Sequence, residues 1–368
     1  MNVKKVSDEA CIIQMPAELI DQDEQPAVTA CAPQKTGQMR NVILDFGPIT
    51  KMNGLGASML VKLDALTRYR GQLLYACRLS DAHHKVMAVT GLHQRFQIYE
   101  KIEDALIACG IPADKIELPA LALQLEPLDN DTWAKPVTRL KTPEFPPEAW
   151  NRNINGRLPV GPVNGFGQLW QKVYQLKISD PAIGPEQAIE EMKEDFPSLQ
   201  PSNNRFYPSP AGIQPGEIVA IDSSTPGGPV STGVLVLYAD DLSFTFITPQ
   251  GHPESGWVTF SASRNGENTI VQILGLARAN DPVYEAAFRA IGSKIQVKIW
   301  THVLTSLAAR LGVPAAITVE PTIVDRKVQW SEAKNTWYNA QIRTLLYAPF
   351  RLLGWPRRRR IQRGAYAG

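Results

Sequence analysis

Two hydrophobic periods alternate along this chain, and the order in which they change divides it. Ala10-Cys-Ile-Ile-Gln-Met15 and Asn41-Val-Ile-Leu-Asp-Phe46 are short apolar runs of the kind that form strands buried on both faces. The period then becomes helical. Met59, Leu60, Leu63 and Leu66 recur on one face, Arg68 and Arg70 fall in the last turn, and Gly71 stops the pattern. A strand pattern over 71–77, a helix pattern over 86–92, a strand at 96–99 and a last helix at 103–106 follow. Strands alternating with helices predict an open sheet covered by helices. A weaker helix signal at 23–34 is broken by Pro26 and Pro33.

After residue 108 the pattern dissolves. Pro143, Pro146, Pro147, Pro159 and Pro162 remove backbone donors that a helix or central strand needs, so this stretch predicts a linker. A second pattern begins near residue 164. Residues 166–174 and 185–195 predict helices, the second with Pro185 in its first turn and acids near its start. Five strand-like runs follow, at 218–222, 233–238, 243–247, 256–260 and 269–274. Asn265-Gly266 between the last two suits a tight hairpin. A helix-like stretch over 284–311 closes the unit. The expectation is an α+β helix-grip, a curved antiparallel sheet around a long helix with an apolar cavity between them.

At 368 residues the chain has room for two or three domains. A net charge of +2 argues against a general polyanion binder, and nucleic acid is not an expected partner. No apolar run reaches the roughly 20 residues that span a bilayer. The opening Met1-Asn-Val-Lys-Lys-Val-Ser-Asp lacks a secretory apolar core, so the expected location is cytoplasmic. Cys11, Cys31, Cys77 and Cys109 form no CxxC pair and are expected to be reduced thiols.

The most informative segment couples the strand at 41–46 to a glycine loop, Lys51-Met-Asn-Gly-Leu-Gly56, and the helix after it. Leu44-Asp45, Ile49-Thr50 and Gly54-Leu55-Gly56 resemble the STAS domain, the anti-sigma-factor-antagonist module, and the resemblance extends over residues 1–110. It implies an α/β STAS fold and a loop that docks on a protein partner, an anti-sigma-like regulator or a transporter subunit. In that family the loop carries a phosphorylatable serine. Here Lys51 replaces the family's acid, and Met52 and Asn53 replace its two hydroxyl residues. Lys51, Met52, Asn53, Gly54, Leu55 and Gly56 are therefore expected to form a partner-binding loop outside the usual phosphorylation cycle. Read without the resemblance, the same residues make a strand-to-helix turn in which the glycines serve packing.

In the second half, Thr248-Pro-Gln-Gly-His-Pro-Glu-Ser-Gly-Trp-Val-Thr-Phe260 is similar to a turn in an uncharacterised START-like (SRPBCC superfamily) family. That resemblance covers residues 165–313 and implies a hydrophobic or aromatic small-molecule or lipid ligand. Arg205, Phe244, Phe246, His252, Glu254 and Trp257 are the candidate pocket residues, and Arg205 suits an anionic head group. Phe244, Phe246, Trp257 and Phe260 sit at strand spacing, where core packing explains them equally well. His252 and Glu254 carry acid/base side chains, but no nucleophile or second carboxylate stands at a telling spacing, so catalytic residues are not expected. Adjacent His83 and His84 point apart on a helix, so no metal site or cofactor is expected.

From residue 335 onward the chain has no acid. Its aromatic and apolar residues are punctuated by Arg343, Arg351, Trp355, Arg357, Arg358, Arg359 and Arg360. That composition suits a peripheral contact with an anionic membrane, at its inner face, or docking of the tail on the preceding domain. The expected division is a STAS-like domain at 1–112, a Pro-rich linker at 113–163, a START-like helix-grip domain at 164–334 and an aromatic, Arg-rich tail at 335–368. The expected function is a non-enzymatic signalling or interaction protein joined to a hydrophobic-ligand domain. The alternatives are lipid binding or transport at the membrane surface, and a cavity enzyme using His252 and Glu254.

Overall fold

The computed structural model describes residues 2–7, 9–20, 41–111 and 131–350, without the side chains of residues 291–293. The weak helix signal at 23–34, Cys31 and the tail from Arg351 onward, including Trp355 and Arg357, Arg358, Arg359 and Arg360, lie outside the described residues.

The N-terminal sheet contains β1 (Asn2–Lys5), β2 (Ala10–Gln14), β4 (Asn41–Asp45), β6 (Leu73–Cys77) and β7 (Gln97–Tyr99) in the spatial order 1-2-4-6-7. The β1–β2 pair is antiparallel and the rest are parallel. Two short strands, β3 (Glu18–Leu19) and β5 (Lys51–Met52), pair beside it. Helices α1 (Gly54–Tyr69) and α2 (Asp81–Thr90) pack on one face through Met59, Leu60, Leu63, Val86 and Met87. Helix α3 (Ile102–Ala108) covers the other face, where Ile102, Ala105 and Leu106 meet Ile12, Ile43 and Tyr75. Local chemistry fixes the helix ends. Asn53 caps α1, Ser80 and His83 form a capping box on α2, and Gly91 ends α2 at φ 78°.

The second sheet has nine strands among the described residues. Its elements are β8 (Pro159–Val160), β9 (Leu169–Ile178), β10 (Asn204–Tyr207), β11 (Ile218–Thr225), β12 (Gly228–Ala239), β13 (Ser243–Pro249), β14 (Glu254–Asn265), β15 (Asn268–Ala279) and β16 (Ala316–Asp325). The order is 10-11-12-13-14-15-9-16, antiparallel throughout, with β8 beside β13. Helix α4 (Pro185–Glu194) and helix α6 (Ser293–Arg310) pack on the concave face, and helix α5 (Pro282–Ala287) and a π-turn connect β15 to α6. This is the expected helix-grip. One expectation is corrected: residues 166–174 do not form a helix but lead into β9. Tyr174, Leu176 and Ile178 point to the concave core, while Leu169 and Val173 point to the convex one. Burial on both faces hides the strand's alternation.

The two halves share a core. Convex-face residues Leu235, Leu237, Ile247, Trp257, Leu274 and Leu276 belong to the same apolar cluster as Met59, Leu60 and Val86 of the first half. Helices α1 and α2 are thus sandwiched between the two sheets. Thirteen of the sixteen α1 residues are buried, which marks a helix covered all round. Within the proline-rich stretch, residues 131–158 run across the second sheet, where Ala134 N–H donates to Leu237 O and Trp133 packs edge-on against Tyr238.

Candidate functional site

The glycine loop lies beneath the second sheet. Asn53 turns its side chain back, and its Oδ1 accepts from the N–H groups of Leu55 (2.9 Å) and Gly56 (3.2 Å). An amide does here what a capping hydroxyl does elsewhere, satisfying donors that the first turn of a helix leaves unpaired. Met52 is 2% exposed and its carbonyl accepts from Trp133 Nε1 at 3.0 Å. Gly54 faces Thr245 and Thr259, whose hydroxyls bond each other at 3.0 Å. One turn on, Ser58 Oγ receives Trp257 Nε1 at 2.8 Å and donates to Gly54 O at 2.8 Å. Lys51 alone keeps an exposed side chain, 3.7 Å from Asp240 on the second sheet.

In the structure Met52, Asn53, Gly54, Leu55 and Gly56, expected to form a partner-binding loop, are buried, and Gly54 lies against the chain's own second sheet. The physical reason is shape. Gly54 and Ser58 make the start of α1 flat enough for a sheet to lie on it, and the chain's own β13 and β14 do so. Charges seal the far end of the same junction. Arg278 on β15 is 2% exposed and forks to Asp325 (2.6 Å), Gly167 O (2.7 Å) and Lys327 O (2.8 Å). Arg68 of α1 bonds Asp64 at 3.1 Å and reaches Asp325 at 3.7 Å. Arg95 donates to Gln329 Oε1 (2.6 Å) and Val163 O (2.9 Å). Burial pushes the Asp64 carboxyl up against the pull of Arg68 and Arg95. Burial pushes Asp325 up too, but the Lys327 N–H and the Arg278 contacts outweigh it and hold the group below its ordinary range.

The candidate pocket residues do not converge. Phe244, Phe246 and Phe260 face the concave core with Phe196, Phe206 and Trp300, at ring separations of 4.5 to 5.8 Å. They fill the space between sheet and helix. Trp257, three residues from Phe260, faces the opposite side and meets α1. Arg205 lies on a convex groove near residues 148–150. Glu254 lines a chamber of about 80 Å³, with Trp170, Lys172, Phe288, Arg289 and Gln296. Gln296 bridges the two charges there, accepting from Lys172 Nζ at 2.5 Å and donating to Glu254 Oε2 at 3.1 Å. Burial raises the Glu254 pKa, with Lys172 and Gln296 opposing, and lowers that of Lys172. His252 receives the Glu254 backbone N–H on Nδ1 at 3.1 Å and is pushed down to about 4 by burial. Its ring holds the turn while the Glu254 carboxylate is engaged elsewhere.

His83 is 1% exposed and caps α2, and burial pushes it down to about 4. Among the described residues no three His, Cys, Asp or Glu side chains group as a metal site. Cys11 and Cys77 are buried thiols, and burial pushes Cys77 up. Sequence reading missed the roles of Thr245, Thr259, Ser58 and Arg278. The one available signal was the arginine itself, in a strand whose neighbours are apolar.

Near the C-terminal end of the described residues, a helix over 340–350 (α7) docks by its polar side. Thr344 Oγ1 accepts from Ser231 N at 3.1 Å, and Asn153 Nδ2 donates to Ala340 O and Thr344 Oγ1, each at 3.2 Å. The outer side carries Ile342, Leu345, Leu346 and Phe350, with Trp337 just before it, all exposed. Arg343 lies on this helix and donates to Trp337 O at 3.1 Å.

Residues 3–105 match the family model described as STAS domain. Among solved structures, a START superfamily protein from Mycobacterium smegmatis is 16% identical. It covers 39% of this chain and 97% of its own, with a TM-score of 0.29. Protein Ms6760 from the same organism is 12% identical over 39% of this chain and 90% of its own (TM-score 0.29). TTHA0849 from Thermus thermophilus is 16% identical over 38% and 96% (TM-score 0.30). The helix-grip assignment rests on the strand order and on α6 against the concave face. No curated protein matches the chain in sequence.

Proposed function

We propose that this is a non-enzymatic interaction protein whose STAS surface is held in cis by its own helix-grip domain. The observation that carries the reading is the burial of Met52, Asn53, Gly54, Leu55 and Gly56, with Gly54 set against Thr245 of β13 and Thr259 of β14. Met52 and Asn53 have no hydroxyl to phosphorylate, so release by a phosphate at those positions is not part of the design. Release instead belongs to the helix-grip. Strands β13 and β14 present Phe244, Phe246 and Phe260 to the concave core, and Thr245, Trp257 and Thr259 to the STAS helix. An apolar ligand that displaces the phenylalanine cluster shifts the strands that hold α1. The wedge-like change Thr245→Arg tests the arrangement in the full chain. Amide exchange over residues 51–60 is expected to rise at least tenfold while α3 and α4 stay protected. Fast exchange over 51–60 in the unaltered chain sinks the reading.

A second reading is favoured by the exposed stripe Trp337, Ile342, Leu345, Leu346 and Phe350. Together with Arg343 and the arginines at 357–360, it suits peripheral contact with an anionic lipid surface. Among the described residues no helix is long and apolar enough to cross a membrane. Sedimentation with anionic and neutral vesicles tests the contact, with Leu346→Glu/Phe350→Glu expected to remove the anionic preference. Equal sedimentation of variant and parent excludes it.

A further inference from the structure

The chamber of about 80 Å³ beside Glu254 has a floor without bulk. Gly275, Ala277 and Ala279 of β15 line it, and a Cβ at Gly275 would meet only Gln296 Nε2, at 3.9 Å. Trp170 and Phe288 add apolar walls. The charges around it are matched. Arg289 pairs with Glu285 at 2.9 Å, and the Gln296 amide bridges Lys172 and Glu254.

Two donors lie one step further along the same two elements. Tyr174 follows Lys172 on the concave face of β9, and Trp300 follows Gln296 by one turn of α6, which packs against β9. Tyr174 is fully buried and Trp300 is 9% exposed. Among the described residues, Tyr174 Oη and Trp300 Nε1 have no hydrogen-bond partner. Burial, and after it the Glu254 carboxylate, push the Tyr174 pKa up, so the hydroxyl lies within the field of a chamber residue. Buried polar atoms are nearly always paired, and two orphans on packed elements call for an acceptor from outside the chain. An indole N–H can only donate. A hydrocarbon leaves both donors unpaired. A carboxylate meets Glu254 and an ammonium meets Lys172, and either one upsets charges that are already matched. A neutral carbonyl oxygen brings two lone pairs and no charge, and the small floor between Trp170 and Phe288 suits short alkyl flanks.

We propose that the chamber and these two donors form a binding site for a small neutral carbonyl compound, a ketone or an ester, whose oxygen accepts from Tyr174 Oη and Trp300 Nε1. The site rests on the reading above that the helix-grip takes an apolar ligand, and it names that ligand's polar end. Titration of the full chain with butanone, butanoate, butylammonium and pentane tests it, read at the indole N–H resonance of Trp300 as assigned with Trp300→Phe. Butanone is expected to move that resonance downfield and to saturate with a dissociation constant of about 1 mM or tighter, and the other three to bind at least tenfold more weakly. Tyr174→Phe is expected to weaken butanone binding at least tenfold. Without ligand it should melt no lower than the parent, since it removes a hydroxyl that has no partner. Tyr207→Phe, on β10, is expected to change neither. No saturable shift with butanone, tighter binding of butanoate or butylammonium, or unchanged affinity in Tyr174→Phe overturns the site. A lower melting temperature for ligand-free Tyr174→Phe does so too, because water then already serves the hydroxyl. Saturable binding of pentane alone overturns the carbonyl and leaves ligand-driven release of α1 standing. Butanone binding with unchanged amide exchange over 51–60 supports the site and defeats that release.

Discussion

Replacing Gly54 by alanine sets two physical effects against each other. Gly54 is the first residue of α1 and its φ is not positive, so alanine fits the backbone there and gains up to about 1 kcal/mol of helix propensity. A Cβ at this point lies 2.1 Å from Thr245 Oγ1, 2.5 Å from Thr259 Oγ1 and 3.1 Å from Thr245 Cβ. Carbon contacts relax at about 3.5–4.0 Å, so something must move by about 1.5 Å. The two threonines are β-branched, bonded to each other and set in central strands, so they give little. Over-packing of this kind costs about 1–3 kcal/mol. The expected sum is a net loss of about 1–2 kcal/mol, read as a lower urea midpoint with tryptophan emission as the probe.

The sign is the discriminating feature. An isolated STAS domain has no sheet over α1 and gains stability from this change, whereas the docked chain loses it. A cycle with Thr245→Ala/Thr259→Ala removes both clashing oxygens and is expected to recover about 1 kcal/mol relative to additivity. A Gly54→Ala chain as stable as the parent, or strict additivity in the cycle, refutes the docking of β13 and β14 on the loop.

Two further outcomes follow from buried charge. Arg278→Leu leaves Asp325 and two carbonyls without their shared fork and is expected to cost about 3–5 kcal/mol in urea unfolding; Arg278→Lys recovers little, because an ammonium lacks the planar fork. His83 is held neutral by burial, which drops its pKa from 6.5 to about 4, so the unfolded chain binds the proton first. The associated stability is present above pH 6.5 and is lost as pH falls toward 4, by about 3 kcal/mol, and His83→Gln should flatten unfolding curves across that window.

The N-terminal half was legible because its strands are continuous apolar runs and its helices end at Gly71 and Gly91, where a left-handed cap needs glycine. The hairpins from β11 to β15 were legible for a related reason, since Asn265-Gly266 and the acid pair at 240–241 punctuate them. β9 was not, because Gln171, Lys172 and Gln175 interrupt residues that are buried on alternate faces. β16 is an edge strand with Glu320 and Pro321 mid-run, residues that protect an exposed edge and also disguise it. The junction was hidden for a deeper reason. Thr245, Thr259, Ser58 and Gly54 are small or polar, and each is ordinary in its own element. Only the bond between Trp257 and Ser58, 199 residues apart, makes them a surface.

Loss of the serine and capping by the sheet are physically one change on the proposed reading. A phosphoryl group brings about −1.5 to −2 charge and three acceptor oxygens that demand partners. At position 52 or 53 it would enter a space already filled by Trp133 and β13, with Asp240 at the edge beside Lys51. Its natural donors, the first N–H groups of α1, are taken by Asn53 Oδ1. A neutral amide satisfies those donors without charge, and so allows the sheet, whose Thr245 and Thr259 hydroxyls bond each other, to close over them. A STAS loop able to accept phosphate must stay open to solvent; one that is covered must cap itself. Asn53→Ser therefore restores a hydroxyl to the chain without restoring a substrate, unless the helix-grip first lets go of α1.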